Sequence, residues 1–246
     1  MKIAEHIDAL EAAGRGLAEA AEAAGPDAEV PTCPGWRMRD LLRHTTMVHR
    51  WAAGFVVEGH TAYQPEGDEP RLDGDALFAH FREGHAELVA ALRAAPETLT
   101  AWTFLPAPSP LAFWARRQAH ETAVHRADAE SALPTGPGPV EAGLAADGVD
   151  ELLAGFHARD RSRVRTDGPR SLRIRATDTG DVWTVRLSAE PPVTERAAAG
   201  GPADAEVSGT AERLYLTLWN RLPASAVTVT GDADLLRLWR ETSAIV

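Results

Sequence analysis

The chain is poor in cysteine, lysine and aromatic residues, and each scarcity narrows its chemistry. Cys33 is the single cysteine among 246 residues. That excludes an internal disulfide and any cysteine-rich metal site, so a bound metal must be held by histidine and carboxylate. Positive charge is also short: Lys and Arg total 25 against 36 Asp and Glu, a formal net charge of −11. A duplex-binding protein needs a basic surface, so neither nucleic acid nor an anionic membrane surface is an expected partner. Lys2 is the sole lysine, a bias that reads as high-GC codon usage and says little about mechanism. No apolar run approaches the roughly 20 residues that span a bilayer. Met1 to His6 lack the basic-then-apolar order of a secretory signal, so a cytoplasmic location is expected.

What is present is helical periodicity followed by strand periodicity. Ile3 to Ala24 is rich in Ala and Glu, with Ile7, Leu10 and Leu17 near helical spacing, and Gly25-Pro26 ends it. Further helices are expected over about Met38 to Val57, Asp75 to Ala95 and Leu111 to Leu133, with breaker-rich connections between them. This pattern predicts a four-helix bundle over residues 1–138. Pro134 to Pro139 reads as a linker. Beyond it come a helix at about Glu141 to Arg159 and strands around 171–177, 183–187, 205–209 and 226–230. Helices are expected at Ala211 to Leu222 and Ala233 to Thr242. Residues 139–246 thus predict a small α+β domain with a mainly antiparallel sheet, and the whole chain a two-domain α+β protein.

The histidines separate by spacing. Glu121 and His125 are four apart on the fourth helix and share a face. His44 lies on a stripe with Leu41, Val48 and Trp51, so it points inward. Two helices can therefore offer His44, Glu121 and His125 to one cation, and three protein ligands with an open place is the arrangement of a catalytic zinc site. The alternatives are a solvated Glu–His pair and a hydrogen-bonded core histidine. His120 and His125 are five apart and diverge, so this is not the zinc-protease motif. His49 cannot ligate alongside His44 and is expected as a supporting or surface residue; His80 and His85 have the same five-residue offset. Asp40 and Asp128 are within reach of His44 and His125 as supporting carboxylates. Trp36, Trp51 and Trp114 flank the set, as pocket walls or, for Trp51 by preference, as core. Cys33 reads as a small residue in a tight turn, with a reactive thiol as the alternative.

The segment from Cys33-Pro34-Gly35-Trp36 through Asp40-Leu41-Leu42-Arg43-His44 resembles the PGW-x-x-x-DLL-x-H signature of the mycothiol-dependent maleylpyruvate isomerase family, within the wider DinB-like metal-binding bundles. His120-Glu121 through His125-Arg126-Ala127-Asp128 is similar to the family's HE-x-x-x-HR-x-D segment. Glu stands where some DinB-like relatives carry His, as in the isomerase branch. Residues 203–210, 216–222 and 229–232 resemble the family's C-terminal, sterol-carrier-like domain.

The resemblance implies a divalent metal, zinc or another, on His44, Glu121 and His125, with mycothiol as thiol cosubstrate and a small electrophile of maleylpyruvate type. It implies an isomerase, in which the thiolate adds to a cis double bond, the bond rotates and elimination gives the trans product, or a thiol S-transferase. An anionic substrate then needs arginine; Arg221 is the first candidate, and Arg82 and Arg117 follow. A monomer is expected. The alternative is a non-catalytic module that binds metal and a small ligand.

Overall fold

The computed structural model describes residues 1–196 and 201–245. The chain forms two compact units, Met1–Gly138 and Pro139–Val246. Among the described residues no helix is long and apolar enough to cross a membrane.

The first unit holds α1 (Ile3–Ala24), α2 (Met38–Glu58), α3 (Gly74–Ala94) and α4 (Pro110–Ser131). Each start has a local cause. The Lys2 backbone N–H donates to Glu5 Oε2 (2.7 Å), and the Arg37 N–H to Asp40 Oδ2 (2.9 Å). Asp73 accepts from the Gly74 N–H, and Ser109 Oγ accepts from the Ala112 N–H (3.1 Å), with Pro110 opening α4. Gly59, at φ 65°, takes the left-handed conformation that ends α2. Leu10, Leu17, Leu41, Leu42, Phe55, Phe81 and Trp114 fill the core.

α4 breaks the usual amphipathic rule. It buries Arg117, Gln118, His120, Thr122, His125 and Asp128 beside its apolar residues. Buried polar groups cost free energy unless they are partnered, so this helix carries chemistry or a dense polar network. Between α1 and α2 the chain folds into a tight loop. The Val30 N–H donates to Trp36 O (3.0 Å) and the Met38 N–H to Ala28 O (2.8 Å), while Gly35 sits at φ 89°. This loop sets Thr32 and Trp36 against α2 and α4.

In the second unit α5 (Ala142–Asp150) runs into a π-helical segment, Glu151–Phe156, so the expected helix widens and stops short of Arg159. β1 (Arg170–Ala176), β2 (Val182–Leu187), β3 (Val193–Arg196), β4 (Ala205–Gly209) and β5 (Thr228–Gly231) form one sheet in the order β3-β2-β1-β4-β5. β1 and β4 are parallel and the other pairs antiparallel. Leu172, Ile174, Trp183, Val185, Leu187 and Val207 make its buried face. α6 (Ala211–Leu218) packs on β1 and β4, and α5 on α6. α7 (Asp234–Thr242) closes the order.

α6 ends at Leu218, four residues before the expected Leu222. Asn220 takes φ 63°, its N–H donates to Thr217 O (3.0 Å), and the Arg221 N–H reaches back to Leu216 O (2.7 Å). That is a Schellman cap with asparagine in the left-handed position. β3 was not expected from the sequence: its four residues are mostly exposed and lack an apolar alternation. The fold is a two-domain α+β architecture, a four-helix bundle followed by a mixed-sheet unit.

Candidate metal centre

α2 and α4 bring His44, Glu121 and His125 together. Their ligand atoms all lie within 4.8 Å of one another. Glu121 Oε1 is 3.6 Å from His44 Nε2 and 3.1 Å from His125 Nε2. Donors about 2.0–2.2 Å from a tetrahedral zinc stand roughly 3.4 Å apart, so these separations fit a divalent cation. The donor chemistry also fits: two imidazoles and a carboxylate form a set known in catalytic zinc sites. His44 and Glu121 keep about a quarter of their side-chain surface exposed, 26% and 23%, so the cluster has an open side.

His125 is oriented from behind. Its Nδ1 lies 2.8 Å from Asp128 Oδ2, and Asp128 is fully buried. Thr32 Oγ1 donates to the other oxygen, Asp128 Oδ1 (2.6 Å), and lies 3.2 Å from Ser131 Oγ, which donates to Asp128 O (2.6 Å). A carboxylate on one ring nitrogen fixes the tautomer and leaves the other nitrogen as the donor to a metal. Trp36 lies against both imidazoles, with ring centroids 5.1 Å from His44 and 6.4 Å from His125.

Burial raises the Glu121 pKa, but the hydrogen bond from His125 and the nearby His44 ring, with the Arg117 charge, outweigh it and hold the carboxyl well below its usual range. Burial opposes charge on His125, yet Asp128 and Glu121 together lift it to about 9. Arg117, one turn before Glu121 and 3% exposed, places Nη2 3.4 Å from Glu121 Oε2.

Residues 7–130 match the mycothiol maleylpyruvate isomerase N-terminal domain, and residues 143–238 match the MDMPI C-terminal domain. The chain belongs to the mycothiol maleylpyruvate isomerase family. A crystal structure of the mycothiol-dependent maleylpyruvate isomerase superposes with a TM-score of 0.66 at 15% identity, over 94% of this chain and 93% of that one. A histidine-to-alanine variant of that isomerase gives 0.64 at 14% identity over the same shares. At these identities the superpositions speak for the fold. No curated protein matches the chain.

Within this member of the isomerase family, other sequence candidates fall elsewhere. Asp40 does not support His44: its carboxylate caps α2 through the Arg37 N–H and faces Arg43. A first-turn carboxylate is worth more on free backbone N–H groups than across the helix. His49 is buried rather than on the surface, with Nε2 2.8 Å from Thr122 Oγ1. His85 is buried with Nε2 3.1 Å from Leu10 O, and His80 faces Arg50 and Glu83. Trp51 and Trp114 join Phe55 and Trp102 in an aromatic cluster, so Trp114 is core and not a wall of the site. Cys33 packs half-buried against the core. Arg82 pairs with Glu22. Arg221 lies in the second unit, where its Nη1 donates to Trp219 O (2.8 Å). Thr32 escaped sequence reading, because nothing local marks a loop threonine whose partner is 96 residues away.

Proposed function

We propose that this chain is a divalent-metal- and mycothiol-dependent enzyme, an isomerase or thiol S-transferase acting on a small electrophile of maleylpyruvate type. The convergence of His44, Glu121 and His125 supports this reading most directly, and membership of the mycothiol maleylpyruvate isomerase family supports mycothiol as the thiol and an electrophile of that type as the substrate. These side chains would hold the cation, zinc by preference. When bound, such an ion lowers the pKa of a thiol at its open place, so that thiolate exists at neutral pH.

The residues then have separable tasks. Glu121 Oε1 sits between the imidazoles and brings negative charge to the cation. Asp128 holds a proton on His125 Nδ1 and leaves Nε2 as a donor. Trp36 shields the imidazoles from water on one side. In the isomerase reaction the thiolate sulfur forms a bond to one alkene carbon and the π pair moves into the conjugated carbonyl as an enolate. Rotation about the new single bond and collapse of the enolate expel the thiolate and leave the trans alkene. Nothing is oxidised or reduced. In the transferase reaction the carbon–sulfur bond stays and the enolate carbon takes up a proton, or the sulfur displaces a leaving group.

Arg221 is the proposed charge-stabilising arginine, on its side-chain chemistry alone. In Arg221→Ala, kcat should fall; unchanged turnover and thiol affinity would remove it from the reaction. The proposal as a whole is tested by metal analysis of purified protein, then mycothiol depletion against a panel of electrophiles, for wild type and His44→Ala. Consumption or isomerisation by wild type alone, abolished by chelator, is expected. Tight metal without any thiol response would leave a non-catalytic binding module.

A further inference from the structure

We propose that Arg117 is a positioning residue that occupies the outer oxygen of Glu121, so that the carboxylate offers one oxygen to the cation and a coordination place stays open for the thiol. The inference rests on the metal reading above and deepens it.

The two oxygens of Glu121 have different neighbours. Oε1 faces His44 Nε2 and His125 Nε2, whereas Oε2 faces Arg117 Nη2 at 3.4 Å. Arg117 sits four residues earlier on α4, so the helix sets the approach. As a helix-stabilising device the pair is poor, because an acid placed before its base is the favourable order and here the order is reversed. It is also not a surface pair: the Arg117 side chain is 3% exposed.

Two consequences follow for a bound cation. A carboxylate free to turn can chelate through both oxygens and fill the fourth place, which would leave no room for a thiol. A guanidinium held at Oε2 blocks that rotation. It also draws electron density from the carboxylate, so the ligand set neutralises the cation less and the bound thiol ionises more readily.

The test is infrared difference spectroscopy of zinc-loaded against metal-free protein, with mycothiol affinity measured on the same samples. One-oxygen coordination gives a wide separation between the asymmetric and symmetric carboxylate stretches, and two-oxygen coordination a narrow one. Wild type should show the wide separation. Arg117→Gln should narrow it and weaken mycothiol binding about tenfold or more, in the range of other outer contacts to ligands. Arg117→Lys, which keeps a cationic donor in place, should restore the wide separation. A narrow separation in wild type, or an unchanged one in folded Arg117→Gln, overturns the inference. If Arg117→Gln does not fold, the wild-type spectrum decides alone. Failure of wild type to take up zinc would instead sink the metal reading before Arg117 comes into question.

Discussion

Asp128 and His125 are joined at 2.8 Å, carboxylate to Nδ1, within a single turn of α4, and Asp128 has no exposed surface. The pair makes His125 a committed donor through Nε2, which points at Glu121. Replacing Asp128 with Asn removes the charge and leaves the ring free to turn. Zinc affinity, read by competition with a chromophoric chelator, should fall 10- to 100-fold, as is typical for such outer partners. Thr32→Val should weaken it in the same direction, since Asp128 Oδ1 then loses its donor, while Thr32→Ser should retain wild-type affinity. Equal affinity across the series would show that the imidazole needs no support.

The bundle should lose stability between pH 6.5 and pH 5. Burial, then the charge of His85, lowers the His49 pKa to about 3. Burial, then Arg159 and Arg165, lowers His157 in the second unit to about 4. An unfolded histidine takes a proton near 6.5. Below that pH the unfolded chain binds a proton that the folded one refuses, and stability falls. Each residue should cost its own unit about 1.5 kcal/mol over this window. His125, whose pKa is raised to about 9 in the folded state, stays protonated when folded; its unfolded form goes from half to almost fully protonated over the window, so it returns only about 0.4 kcal/mol as the pH falls and does not cancel the His49 loss. Urea midpoints of metal-free protein at pH 6.5 and pH 5.0 check this; coincident midpoints would contradict it.

Gly14 has a packing role that a helix glycine otherwise lacks. A Cβ there would fall on the His85 ring, which bonds to Leu10 O from α3. Gly14→Ala should therefore destabilise the first unit by about 1–3 kcal/mol through overpacking, although alanine is the better helix former. A thermal unfolding midpoint equal to or above wild type would refute this.

How much of this was legible beforehand depends on where each signal is stored. The proximity of Glu121 to His125 is written in helical spacing, and the inward aim of His44 in the stripe with Leu41 and Val48; all three meet because α2 and α4 pack. Thr32 could not be found this way, since its partner Asp128 is distant in sequence and the loop that carries it has no periodicity. Asp40 looked like support for His44 only because spacing cannot tell which of two local bonds a carboxylate makes; the unsatisfied Arg37 N–H won. In the second unit the end of α6 was missed because asparagine, not glycine, takes the left-handed cap at Asn220. β3 was missed because an exposed edge strand needs no apolar alternation.

The most direct measurement is the zinc content and affinity of purified wild type beside His44→Ala, with the bundle's helical content followed by circular dichroism. Wild type should bind one zinc per chain, and His44→Ala should retain its helices and lose that tight binding. Equal zinc binding by the two proteins, or none by a fully folded wild type, would contradict the account.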